Sequence, residues 1–210
     1  MYAVMMKTRL VIVRHAQSES NKARFFAAAT NVNLTDLGRE QAEKTAAFLS
    51  NYTFDRAYSS PMVRVQQTAK PIIRGRGLSL EICADLREIH GGMWEGLPYS
   101  EVDELYPDER ALWYHSLGDC VCPGGDSMSD VDQRVRAAFL KIIADNPGKT
   151  VLVATHATPI RVITNFFLGK TLREIDDLTW AGNASVTVVD CFEDGRYEVI
   201  LQGYDDHLNQ

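Results

Sequence analysis

The feature that most constrains this chain is a pair of short apolar runs that each end in a histidine. Leu10-Val11-Ile12-Val13 leads directly into Arg14 and His15, and Val151-Leu152-Val153-Ala154 leads through Thr155 into His156. Apolar, β-branched runs of this length suit strands buried on both faces, the condition of a parallel sheet between helices. In such sheets ligands gather outside the carboxyl ends of the strands. Read alone, Arg14 and His15 would serve equally well as polar caps on a strand. The second run, ending the same way far along the chain, predicts instead that His15 and His156 meet at one sheet edge.

The remaining sequence reads as alternating helices and strands. Thr35 is placed as the N-cap of a helix over 36–51. Phe54 to Tyr58 predicts a second strand. Pro61 then opens a helix, so that Arg64 lies on a first turn, where free backbone N–H groups favour anions. Leu78 to Cys83 predicts a third strand, and Gly91 to Gly96 around Trp94 a tight loop that holds Glu88. Residues 100–116 read as one or two short helices. Asp126 or Ser127 caps a long helix from Met128 to Asp145, and Thr158-Pro159 starts another. Asp194-Gly195, between two strand-like stretches, is a hairpin signal and predicts an antiparallel addition at a sheet edge.

Composition narrows the function classes. With 45% hydrophobic and 24% charged residues, the chain reads as an ordinary globular protein, and its 210 residues suit one domain. A net charge of −6 argues against nucleic acid as a partner. No stretch approaches the roughly 20 apolar residues of a membrane span. Met1 to Thr8 lacks the apolar core of a signal peptide, and the four cysteines lack zinc-site spacing. The expectation is a cytoplasmic protein with reduced thiols, no metal and no other cofactor. Oligomeric state is left open.

Arg14-His15-Ala16-Gln17-Ser18-Glu19-Ser20-Asn21 resembles the Arg-His-Gly signature of the histidine phosphatase superfamily, also called phosphoglycerate mutase-like. Further segments resemble that family in the family's order. They are Leu34 to Gly38, Ser59-Ser60-Pro61 with Arg64, Leu86-Arg87-Glu88 with Gly92 to Gly96, Pro123 to Ser127, and Thr155-His156-Ala157. The resemblance implies a three-layer α/β/α sandwich. Its sheet would be mostly parallel with an antiparallel edge strand, in a single domain with a small helical lid insertion at about 97–125.

Phosphoryl transfer is largely positioning and charge neutralisation, and guanidinium forks match phosphate oxygens with paired hydrogen bonds. Arg14 and Arg64 suit that task. A histidine attacks phosphorus when one ring nitrogen is unprotonated and the other is held by an acceptor. His15 takes that role, forming a phosphohistidine, and the resemblance implies the same. The leaving oxygen needs a proton, which a carboxylic acid supplies where burial or negative charge keeps it protonated. By resemblance this acid is Glu88. His156, if protonated, would stabilise the transferring oxygens, aided by the amide of Ala157. Asn21 is read either as a donor to phosphate or as a turn residue, and Thr35 is grouped with the substrate-binding residues. His90, His115 and a solvated His207 are given no role.

The family usually has glycine after both histidines, where this chain has Ala16 and Ala157. Alanine adds a methyl group where the family's backbone approaches phosphate closely and restricts positive φ, so an altered substrate fit or reduced rate is expected. The expected activity is metal-independent hydrolysis of a small phosphorylated metabolite. The Glu88 to Gly96 segment looks more like the phosphatase branch than the classical mutases. A mutase-type phosphoryl transferase and a weakly active phosphate-binding relative are the alternatives. A metallohydrolase lacks its ligand motif here, and a simple phosphate sensor would need neither His15 nor Glu88.

Overall fold

The computed structural model describes residues 6–209; Met1 to Met5, within the segment read for a leader, lie outside the described residues. The first strand, β1 (Lys7–Arg14), is fully buried from Leu10 to Val13. A single turn of helix, α1 (Glu19–Ala23), follows, capped by Ser18. Helix α2 (Asp36–Phe48) starts at Thr35, whose hydroxyl accepts the Gly38 amide at 3.0 Å. A Cβ at Gly38 would collide with the carbonyl oxygen of Gln17, so glycine is required where this helix crosses the signature segment.

Strand β2 (Arg56–Ser59) leads to α3 (Val63–Ile73). The helix begins two residues beyond Pro61, with Met62 as N-cap, because Pro61 is spent on the bend out of β2; Arg64 still lies in the first turn. After the short β3 (Leu80–Ile82), the inserted segment folds as α4 (Tyr99–Leu105) and α5 (Pro107–His115). Helix α6 (Met128–Asp145) carries a reciprocal cap between Ser127 and Asp130. Strand β4 (Thr150–Thr155) runs directly into α7 (Ala157–Phe167), and β5 (Val186–Phe192) with β6 (Tyr197–Tyr204) forms the hairpin.

The six strands lie in the order β3-β2-β4-β1-β5-β6. The first four are mutually parallel; β5 runs antiparallel to β1, and β6 antiparallel to β5. The reversed strand therefore sits one place in from the edge. Alternation along β1 and β4 divides the core. Leu10, Ile12, Val151 and Val153 pack with Val135 and Phe139 of α6 and with Ile163 of α7. On the opposite face, Val11, Val13 and Leu152 pack with Leu49 and Ile72, beneath α2 and α3. Helices on both faces make three layers, as expected. The β1–β4 register sets Arg14 opposite Thr155, so both chains leave the sheet side by side.

His207 is not solvated. It is 4% exposed, stacked 4.8 Å from the Phe48 ring, with Nε2 3.0 Å from the Thr45 hydroxyl. A short C-terminal turn folds back onto α2, a contact that local sequence does not announce. The four thiols are free, and Cys120, Cys122 and Cys191 are buried. Among the described residues no helix is long and apolar enough to cross a membrane.

Candidate active site

The parallel register brings the two histidines together. Their ring centroids are 5.3 Å apart and nearly perpendicular; His15 is 4% exposed and His156 fully buried. His15 Nδ1 lies 2.8 Å from the Ala16 carbonyl oxygen. A carbonyl only accepts, so Nδ1 carries the proton and the lone pair is on Nε2. For His156 the order is reversed. Its Nδ1 is 3.4 Å from Arg64 Nη2, which only donates, and its Nε2–H donates to Ser60 Oγ at 2.8 Å. Burial, followed by the charges of Arg14 and Arg64, holds His15 well below the ordinary imidazole value. Burial and then Arg64, His15 and Arg14 do the same for His156. Protonation of His156, the condition attached to its role, is thus disfavoured in the free protein by its burial and by the charges of Arg64 and Arg14.

Those guanidiniums are fixed by backbone carbonyls. Arg14 Nη1 donates to Ala181 O at 2.5 Å, while its Nε is buried with no protein partner among the described residues. Arg64, 2% exposed, donates through Nη1 to Thr30 O at 3.1 Å. Burial pulls both below the ordinary guanidinium value, with Glu88 opposing in each case. Arg14, His15, Arg64, Glu88 and Thr158 line one end of a cavity of about 370 Å³. Glu88 accepts the Ile89 amide at 3.0 Å and the Thr158 amide at 3.3 and 3.4 Å, the latter from the first turn of α7.

Of the other candidates, Ala157 lines the cavity. Asn21 lines it too, as the third residue of α1 rather than a turn residue: its Oδ1 completes the helix cap by accepting from the Ser18 amide and also accepts from Asn183 Nδ2, each at 3.1 Å. Thr35 is not among the lining residues. Its hydroxyl caps α2 and donates to Gln17 Oε1 at 2.8 Å, so the capping role has displaced the substrate role. Neither Ala16 nor Ala157 has positive φ; among the described non-glycine residues that conformation belongs to Arg24 and Ala184. The Ala16 amide donates to Thr68 Oγ1 at 3.0 Å. Alanine therefore meets no positive-φ strain at either position. His90 accepts the Gly92 amide at 3.2 Å through Nδ1 and stands outside the cavity.

Several contributors were given no role by motif reading. Ser60 orients His156, and Asn183 holds both Asn21 and the His15 carbonyl, the latter at 3.1 Å. Glu95 gathers the amides of Ala28, Ala29 and Gly91 at 3.1 to 3.3 Å, tying the segment after α1 to the loop after Glu88. Part of the cavity lining is aromatic, with Phe26, Tyr99, Trp113 and Trp180 drawn from separate segments. The concentration of aromatics in 94–114 was the available signal.

The description "Histidine phosphatase superfamily (branch 1)" matches residues 10–203 of this chain. Phosphoserine phosphatase 1 of Hydrogenobacter thermophilus is 32% identical over 197 residues, covering 92% of this chain and 90% of that protein. Against other curated relatives, mycobacterial proteins 33% identical over 199 residues, the chain spans about half of their length (53%). Among solved structures, Bacillus stearothermophilus YhfR superposes with a TM-score of 0.91 at 26% identity, covering 96% of this chain and 99% of that one. A mycobacterial glucosyl-3-phosphoglycerate phosphatase, Rv2419c with VO3, gives 0.86 at 27%, covering 94% and 99%. The match over nearly the whole described chain accords with the paired histidines and arginines at the strand ends: this chain belongs to branch 1 of the histidine phosphatase superfamily.

Proposed function

We propose that this protein is a metal-independent phosphomonoesterase that hydrolyses a small phosphorylated metabolite in the cytoplasm through a phosphohistidine on His15. The observation that carries this reading is the tautomer of His15. With Nδ1–H given to the Ala16 carbonyl, the Nε2 lone pair is free without loss of a proton, within the field of the Arg14 and Arg64 guanidiniums. The phosphoryl oxygens lie between Arg14 and Arg64, which neutralise charge with no reorganisation at the moment of reaction. His15 Nε2 bonds to phosphorus as the ester P–O bond breaks, and Glu88 delivers a proton to the leaving oxygen. The Glu88 carboxylate then takes a proton from water, which attacks phosphorus and breaks the P–N bond. His156 and the amides at the start of α7 hold Arg64 and Glu88 in register for both halves.

The first half-reaction would equally serve a mutase. Similarity to a phosphoserine phosphatase along nearly its whole length favours hydrolysis. The test is phosphate release from a panel of monoesters in the presence of EDTA, comparing wild type with His15→Ala. Release by wild type, an acid-labile phosphoprotein on quenching, and background release by the variant are expected. Equal release by both proteins overturns the phosphohistidine route, and none by wild type overturns the phosphatase reading.

A further inference from the structure

The aromatic lining of the cavity poses a question that the phosphate-binding residues do not answer: what part of the substrate it receives. A cavity of about 370 Å³ falls in the range of sites for ligands larger than a phosphoryl group on a three-carbon acid. Its wall is aromatic. The rings of Trp113 on α5 and Trp180, which follows α7, lie 5.7 Å apart and within 17° of parallel. Phe26 meets Tyr99 at 5.0 Å and Trp113 at 5.8 Å, both edge to face.

Charged groups beside this wall are consumed in holding it. Arg110 lies 5.3 Å from the Phe26 ring and 5.9 Å from that of Trp113, while its Nε donates to Asp103 at 2.7 Å. Arg161 lies 4.4 Å from the Trp180 ring and donates to the Ile175 carbonyl at 3.1 Å. Glu95 is occupied by backbone amides. Arg24 lines the mouth but is exposed, where solvent and salt weaken its attraction for a carboxylate.

We propose that this wall is a ring-binding subsite, and that the preferred substrates are phosphomonoesters of alcohols bearing a planar aromatic ring rather than small acidic phosphoesters. The ring packs against the cavity side of the Trp113–Trp180 pair, whose facing surfaces are already stacked on each other, while the phosphoryl group sits between Arg14 and Arg64. This rests on the phosphatase reading above and adds the class of alcohol to it.

Leaving-group reactivity must be held constant, so the test uses esters of primary alcohols throughout: methyl phosphate, phosphoserine, benzyl phosphate and 2-naphthylmethyl phosphate. kcat/KM is measured for wild type, Trp180→Ala and Trp113→Leu, with near-ultraviolet circular dichroism as a check on folding. Trp180 is 40% exposed, so its loss spares the core. The ring esters are expected to exceed phosphoserine by about tenfold, the scale of a good aromatic pair. Each substitution is expected to lower the benzyl-to-methyl ratio about fivefold, through KM. A preference for phosphoserine, or a ring advantage that survives both substitutions, overturns the subsite while leaving the phosphatase reading intact. No release from any of the four overturns both.

Discussion

Ser60 Oγ lies 2.8 Å from His156 Nε2, and both side chains are fully buried. Because Nδ1 faces Arg64 Nη2, which only donates, the Nε2–H is the one given to Ser60, so a serine outside the cavity holds the ring that contacts a guanidinium lining it. Removing the hydroxyl leaves a buried N–H without its acceptor. Ser60→Ala is therefore expected to lower kcat/KM about tenfold, the scale of one buried hydrogen bond. Steady-state kinetics would check this, and a change within twofold would remove Ser60 from the mechanism.

Glu88 is asked to protonate the leaving oxygen, a task whose importance depends on the alcohol. Glu88→Gln should slow the pre-steady-state burst on an alkyl phosphate by about 10²-fold or more, as for loss of a general acid. With 4-nitrophenyl phosphate, whose leaving group needs no proton, the burst should be much less affected. Equal losses on the two esters would assign Glu88 to binding instead.

Stability should depend on pH through the buried histidines. Both His15 and His156 are held well below the ordinary value of about 6.5, which the unfolded chain retains. Below pH 6.5 the unfolded chain thus binds protons that the folded chain refuses. Stability should be level above pH 6.5 and decline as pH falls from there towards 5, by up to about 1.4 kcal/mol per pH unit for each histidine. Urea titrations at several pH values would measure this, and His15→Ala should flatten the decline.

Ala16 tests the family preference for glycine. Its methyl group is buried with Leu34, Ala42 and Ala184, and its φ is not positive. Ala16→Gly should therefore cost about 1–2 kcal/mol, from lost burial and added unfolded-state freedom. It should bring no gain in kcat/KM. A faster enzyme would mean that the methyl obstructs phosphate after all.

How much of this was legible beforehand depended on distance along the chain. The runs before His15 and His156, the Ser127 cap and the Asp194-Gly195 hairpin are local signals, and the strands and helices formed where those signals lie. The resemblance carried the phosphate end, since its residues occur in ordered motifs. The tautomers, the neutral state of His156 and the aromatic wall depend on partners far away in sequence, such as Arg64 for His156 and Trp180 for Trp113. His207 shows the same limit: an imidazole that local reading left to solvent was claimed by a tertiary contact with Phe48.

The placement of β5 between β1 and β6 also sets a sequence of events during synthesis. The segment leading into β5 supplies the Ala181 carbonyl to Arg14, and both Asn183 and the Ala184 amide to the His15 carbonyl. Until that segment leaves the ribosome, the nascent chain holds β1 as an open edge, with unpaired backbone groups and with Arg14 and His15 unanchored. Competence and protection from mispairing arrive together, with the last strands made.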